Sequence, residues 1–246
     1  MKKFRWQLLL GLALVLLSAG VYFLHYLIFN DVHHIFIYLL GDIAFVFLEV
    51  LLVTIILDRL LHEQEKQRLR KKLNMIIGSF FSEVGYRLLK MLAQYDLKSD
   101  QMQECMTISS DWGDSKFTDL YRKLKDYSCH MDSRQHDLKE LRDFLVLERV
   151  FMLNLLQNPN LLEHETFTDL LWAAFHLTEE LAARSDLAQL NPPDYDHLSG
   201  DIKRVYLLLL QHWVLYLRHL KTVYPYLYSL AVRSNPVNPN SKVEFA

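Results

Sequence analysis

Residues 6–29 read WQLLLGLALVLLSAGVYFLHYLIF, and residues 35–57 read IFIYLLGDIAFVFLEVLLVTIIL. The first run holds no Asp, Glu, Lys or Arg and a single histidine, His25. Its 24 residues make a helix roughly 36 Å long, enough to cross a hydrocarbon core of about 30 Å with some tilt. The second run, 23 residues long, carries only Asp42 and Glu49. Asn30-Asp31-Val32-His33-His34 separates the two, a turn so short that the helices must be antiparallel neighbours. A two-helix transmembrane hairpin is the reading on which the rest depends.

The flanks orient it. Lys2, Lys3 and Arg5 precede the first run; Arg59, Lys66, Arg68, Arg70, Lys71 and Lys72 follow the second, and the turn between has no Lys or Arg. Basic residues stay inside, so both termini are expected in the cytoplasm. Cleavage of a signal peptide over residues 1–20 is a rival reading, since Ser18-Ala19-Gly20 would suit a peptidase. The apolar run continues to Phe29, however, which is long for a signal core, and the second helix alone would still deliver the C-terminal part to the cytoplasm.

The chain is 51% hydrophobic yet 23% charged, and those charges fall almost wholly outside residues 6–57. Net charge is −2, and from Asn74 onward 18 basic face 23 acidic side chains, so a general nucleic-acid binder is not expected. Two cysteines, Cys105 and Cys129, give no disulfide framework, and seven glycines and six prolines are few for a β-rich chain of 246 residues.

Asp42 and Glu49 are seven residues apart and share one helix face. An acid near the bilayer centre costs about 2.5–3.5 kcal/mol on insertion scales, so it rarely faces lipid. The pair is either a polar seam lining an ion path in a homo-oligomer or a set of carboxyls hydrogen-bonded to a neighbouring helix or second subunit. Packing is the preferred reading.

No proline or glycine occurs between Gly41 and Gly78, and Leu57, Leu61, Leu69, Leu73, Ile76, Ile77, Phe80 and Val84 form a helical apolar stripe. This predicts a helical stalk over 58–92 continuing from the second span, though Gln64 and Arg68 interrupt a strict heptad. Lys66, Arg68, Arg70, Lys71 and Lys72 are a candidate lipid-facing cluster, with the topology signal as the plainer explanation. Gly78, Ser82 and Gly85 mark a small-residue face that another helix could approach.

Residues 93–234 read as a cytoplasmic helical bundle: a short helix from Asp114 or Ser115 to about Tyr127, a long one ending at Leu156, one opened by Thr166 and Asp169, and one from about Asp196 or Gly200 to Thr222. Asn191-Pro192-Pro193-Asp194 reads as a loop, and the apolar run Val205–Leu217 as a buried core helix rather than a third span. The tail 235–246 is expected to be disordered. The fold class is therefore all-α.

Leu73-Asn74-Met75-Ile76-Ile77-Gly78, Phe81-Ser82-Glu83-Val84-Gly85, Asn158-Pro159-Asn160-Leu161-Leu162-Glu163-His164-Glu165 and Phe167-Thr168-Asp169-Leu170-Leu171-Trp172 resemble segments of a family of bacterial and archaeal two-pass membrane proteins with a helical cytoplasmic domain. The likeness runs on through Gly200–Tyr206 and Tyr224–Leu227. It implies a multi-pass protein of the inner (cytoplasmic) membrane, and brings no activity and no site residues with it.

Chemical signatures are scarce. No glutamate has a histidine three residues later, as a di-iron bundle requires, and there is no phosphate-binding Gly-rich loop or nucleophile elbow. His176 with Glu179 and Glu180 is the best metal-like cluster, read as an exposed helix face. The expectation is a non-enzymatic module without cofactor or metal, anchored in the lipid bilayer, self-associating and binding a cytoplasmic protein partner. An acid-lined pore is the alternative.

Overall fold

The computed structural model describes residues 2–161, 165–238 and 241, and among them the chain is all-α. It divides into two units, Met1–Lys66 and Gln67–Ala246.

The first unit holds α1 (Lys2–Phe29) and the N-terminal part of α2 (Val32–Phe80). Both are long and apolar enough to cross a membrane, and neither apolar window is buried against protein. The turn between them follows from its two polar residues. Asn30 has φ 50°, a left-handed conformation asparagine tolerates, and its N–H closes α1 on the Tyr26 carbonyl at 2.8 Å. The Asp31 carboxylate then accepts from the His33 N–H at 2.9 Å, capping α2.

The second unit is built around α8 (Pro192–Val223), which packs against α3 (Tyr86–Ala93), α5 (Asp114–Lys125), α7 (Glu165–Ala183) and α9 (Pro225–Arg233). α6 (Leu138–Leu156) lies on α7, and α4 (Ser99–Cys105) sits between α3 and α5 in sequence. Leu198, Ile202, Val205, Leu209, Trp213 and Leu217 recur at helical spacing along α8 and are buried. α8 begins earlier than expected: Pro192 and Pro193 are in its first turn, and the Asn191 side chain accepts from the Asp194 N–H at 2.9 Å. Proline lacks an N–H that the first turn cannot use anyway, so this pair opens the helix instead of forming a loop.

Three expectations are corrected here. Residues 73–92, read as stalk, belong to the core: Leu73, Ile77, Phe80, Phe81, Val84, Leu88, Leu89 and Leu92 are buried, and Phe80 meets Phe167 edge-on at 5.3 Å. A π-helical turn at Phe81–Gly85 separates α2 from α3. The C-terminal tail is anchored at its start, because buried Asn235 donates its amide to the Met106 carbonyl at 2.7 Å, satisfying the end of α4. Residues 239–240 and 242–246 of that tail lie outside the described residues. Finally, Thr166 lies inside α7 rather than capping it, and its carbonyl is 3.0 Å from His212 Nε2.

One buried carboxylate organises the 95–133 region. Asp96 Oδ1 accepts from the Lys98 and His130 backbone N–H groups at 3.0 and 3.2 Å, and its Oδ2 from the Tyr127 hydroxyl at 3.0 Å. Burial, then the Asp96 charge, pushes the nearby Cys129 thiol up to about 11. Burial first, and next the Asp96 hydrogen bond, raises the Tyr127 phenol too.

Candidate functional site

The residues singled out in the sequence fall into separate places. In the first unit, Asp42 Oδ2 accepts from the Tyr22 hydroxyl of α1 at 3.5 Å, on the wall of a cavity of about 500 Å³ that Val21, His25 and Tyr38 also line. One half of the expected acidic pair thus packs against the neighbouring helix. Glu49 is exposed on α2. Lys66, Arg68, Arg70, Lys71 and Lys72 are all exposed on α2, and Lys72 Nζ reaches Asn160 Oδ1 at 3.3 Å.

Gly78, Ser82 and Gly85 do not form one open face. A Cβ on Gly78 would stand 3.5 Å from the Tyr216 ring of α8, so Gly78 serves packing within the domain. A Cβ on Gly85 would stand 2.7 Å from the rings of Phe80 and Phe81, whereas Ser82 points to solvent. Only at Gly85 is glycine imposed sterically, because its neighbours are buried aromatic rings with little room to move.

The structure assembles a site that the sequence showed only in pieces. α7 carries His176 and Glu180, one turn apart, and α8 carries His197 and Asp201, again one turn apart. The facing of α7 on α8 brings the four together. Asp201 Oδ2 is 3.4 Å from His176 Nε2 and 3.3 Å from His197 Nε2, and His197 Nε2 is 3.5 Å from Glu180 Oε2. The Asp201 side chain is only 4% exposed, against 45% and 51% for the two histidines.

Arginines hold the carboxylates. Arg204 Nη1 donates to Asp201 Oδ1 at 3.2 Å, while Asp201 Oδ2 is buried and receives no hydrogen bond among the described residues. Arg184 donates to Glu180 Oε2 at 2.7 Å and to Asp194 Oδ1 at 3.2 Å. The hydrogen bond from Arg184, foremost, holds the Glu180 carboxyl below the usual carboxylate range. The set contains metal-ligating atoms and no nucleophile. His176 and Glu180 were visible in the sequence; His197 and Asp201 were not, because residues 191–194 read as a loop and hid the turn of helix that aligns them. The available signal was the doubled spacing, histidine then acid four residues on, at 176/180 and 197/201.

A second surface lies on α6. Leu138, Leu141 and Leu145 face the core, but Val146, Leu147, Val150 and Leu153 are exposed, Leu147 by 73% and Val150 by 66%. At spacings of three and four these form one apolar stripe on the outer side of the helix.

Comparison with known sequences agrees with the division into two units. A family model described as the N-terminal helical domain of MJ1433 matches residues 2–61, and one described as the C-terminal helical domain of uncharacterized protein MJ1433 matches residues 69–233. The curated protein of that name from Methanocaldococcus jannaschii is 44% identical over 237 residues, covering 96% of this chain and 95% of the relative. No solved structure matches the chain. With both halves matched and an archaeal relative aligned along nearly its whole length, the chain belongs to the MJ1433 family of helical-domain proteins.

Proposed function

We propose that this chain is a membrane-anchored, non-enzymatic interaction module: α1 and the first part of α2 span the cytoplasmic membrane with both termini inside, and the C-terminal domain binds a partner protein through α6. The observation that carries this reading is the exposed stripe Val146-Leu147-Val150-Leu153. A contiguous apolar strip on a surface helix is costly to leave in water, and its i, i+4, i+7 spacing suits an amphipathic helix of the partner. Arg142, Asp143, Glu148 and Arg149 bracket it with both charge signs, which favours a protein over an anionic membrane surface.

The test is site-specific photocrosslinking in native membranes from a probe placed at Leu147 or Val150. A discrete adduct with a second protein is expected from both positions, lost from the Leu147 probe on Val150→Asp and not formed from a probe at Arg122, on α5. Adducts with lipid or with the chain itself alone would overturn the reading.

A pore of several copies is the second reading, favoured by exposed Glu49 in an apolar span. If Glu49 lines an ion path, Glu49→Gln should abolish or alter conductance in reconstituted bilayers. A merely packed carboxyl predicts no current from the parent chain.

A further inference from the structure

We propose that His176, His197 and Asp201 form a binding site for one divalent transition-metal ion of the zinc type, tying α7 to α8. The geometry is that of donor atoms around a common centre. Metal–ligand bonds of about 2.0–2.2 Å arranged tetrahedrally place neighbouring donor atoms about 3.3–3.5 Å apart. The Asp201 Oδ2 to His176 Nε2 and His197 Nε2 separations, 3.4 and 3.3 Å, are edges of that size. All three donor atoms lie within 4.8 Å of one another. Glu180 Oε2 is 3.5 Å from His197 Nε2 but lies outside this trio, so the remaining corner falls to a water molecule.

The second observation is the Asp201 carboxylate itself. One oxygen is satisfied by Arg204; the other is buried, turned toward the histidines and without a hydrogen-bond donor among the described residues. Leaving such an oxygen bare costs free energy, and buried carboxylate oxygens ordinarily have a donor or a cation. A single divalent ion placed among the three donor atoms brings positive charge to that oxygen while each imidazole coordinates it through a ring nitrogen. The arginine contacts to Asp201 and Glu180 are the outer-shell hydrogen bonds that orient ligating carboxylates. The half-exposed histidines leave a path for the ion.

The experiment uses the tag-free full chain in detergent, stripped with chelator, then titrated with Co²⁺ as a spectroscopic probe and with Zn²⁺. One Co²⁺ per chain is expected, with the intense visible absorption of tetrahedral cobalt, displaced by one equivalent of Zn²⁺. His176→Ala and His197→Ala, at half-exposed positions where the fold survives, should each weaken binding tenfold or more, with unchanged circular dichroism. His130→Ala should bind as the parent does. Asp201→Asn should also weaken binding, and if that buried variant does not fold, the two histidine variants decide alone. Zn²⁺ should raise the melting temperature of the parent and not of His197→Ala. Non-saturating cobalt binding, a pale octahedral spectrum, or affinity indifferent to both histidine variants would overturn the site.

Discussion

Replacing Phe80 by alanine should remove about 3–5 kcal/mol from the stability of the C-terminal domain, the range for truncating a buried aromatic side chain. Phe80 is completely buried, meets Phe81 at 5.5 Å and Phe167 of α7 at 5.3 Å, and joins the end of α2 to the rest of the core. Its loss leaves a cavity that the surrounding rings cannot fill without leaving their own contacts. In urea denaturation of the full chain in detergent, followed by tryptophan fluorescence, the midpoint should fall by more than about 1 M. Trp213 packs on Phe81 at 5.2 Å and reports this region. A stalk lying outside the domain would give a nearly silent substitution, within about 0.5 kcal/mol.

Asp96→Ala should be the most damaging polar change, costing about 3 kcal/mol. Three donors lose a charged acceptor at once: the Tyr127 hydroxyl and the backbone N–H groups of Lys98 and His130. Hydrogen bonds to charged groups contribute about 1.5–3 kcal/mol each, and donors near the surface recover part of that from water. Asp96→Asn keeps the size and one acceptor oxygen, so thermal melts should place it between the parent and the alanine variant.

The same network sets an alkaline limit. The folded state keeps the Cys129 proton to about 11, whereas the unfolded chain releases it near the ordinary thiol value of 9.0. The folded protein therefore binds more protons across that window, and stability falls as pH rises from about 9 to about 11. Removing the Asp96 charge lowers the thiol's folded value, so Cys129 in Asp96→Asn should react with thiol reagents at lower pH than in the parent.

Much of the architecture was legible because its signals are local. The two long apolar helices follow from run length, and the turn from Asn30 and Asp31, whose conformational and capping preferences act within a few residues. The stripe through Leu73, Ile77, Phe80 and Val84 was equally plain as a helix face. What it packs against was not, since an apolar stripe has the same appearance whether it meets its own domain or another chain. Ownership was settled by contacts with Phe167 and Tyr216, more than 80 residues away. Asn235 makes the same point: its side-chain amide reaches Met106 across 129 residues, and the surrounding prolines and asparagines read as a loose tail. The cluster at His176, His197 and Asp201 needed two helices placed side by side, and one of them begins at a proline pair that reads more readily as a turn. Short-range chemistry was visible; juxtaposition was not.

The proposed topology, a hairpin crossing the membrane with the larger domain inside, is tested most directly by thiol labelling in intact cells. Val32→Cys is the better probe of the turn, because Val32 is exposed, whereas Asn30 holds a positive φ that cysteine would strain. A membrane-impermeant reagent should label that introduced cysteine in intact cells. Exposed Cys105 should stay unlabelled until the cells are permeabilised, and then react readily; buried Cys129 should resist in both conditions. Labelling of Cys105 in intact cells as fast as the cysteine at position 32 would contradict the topology, and with it the proposed role.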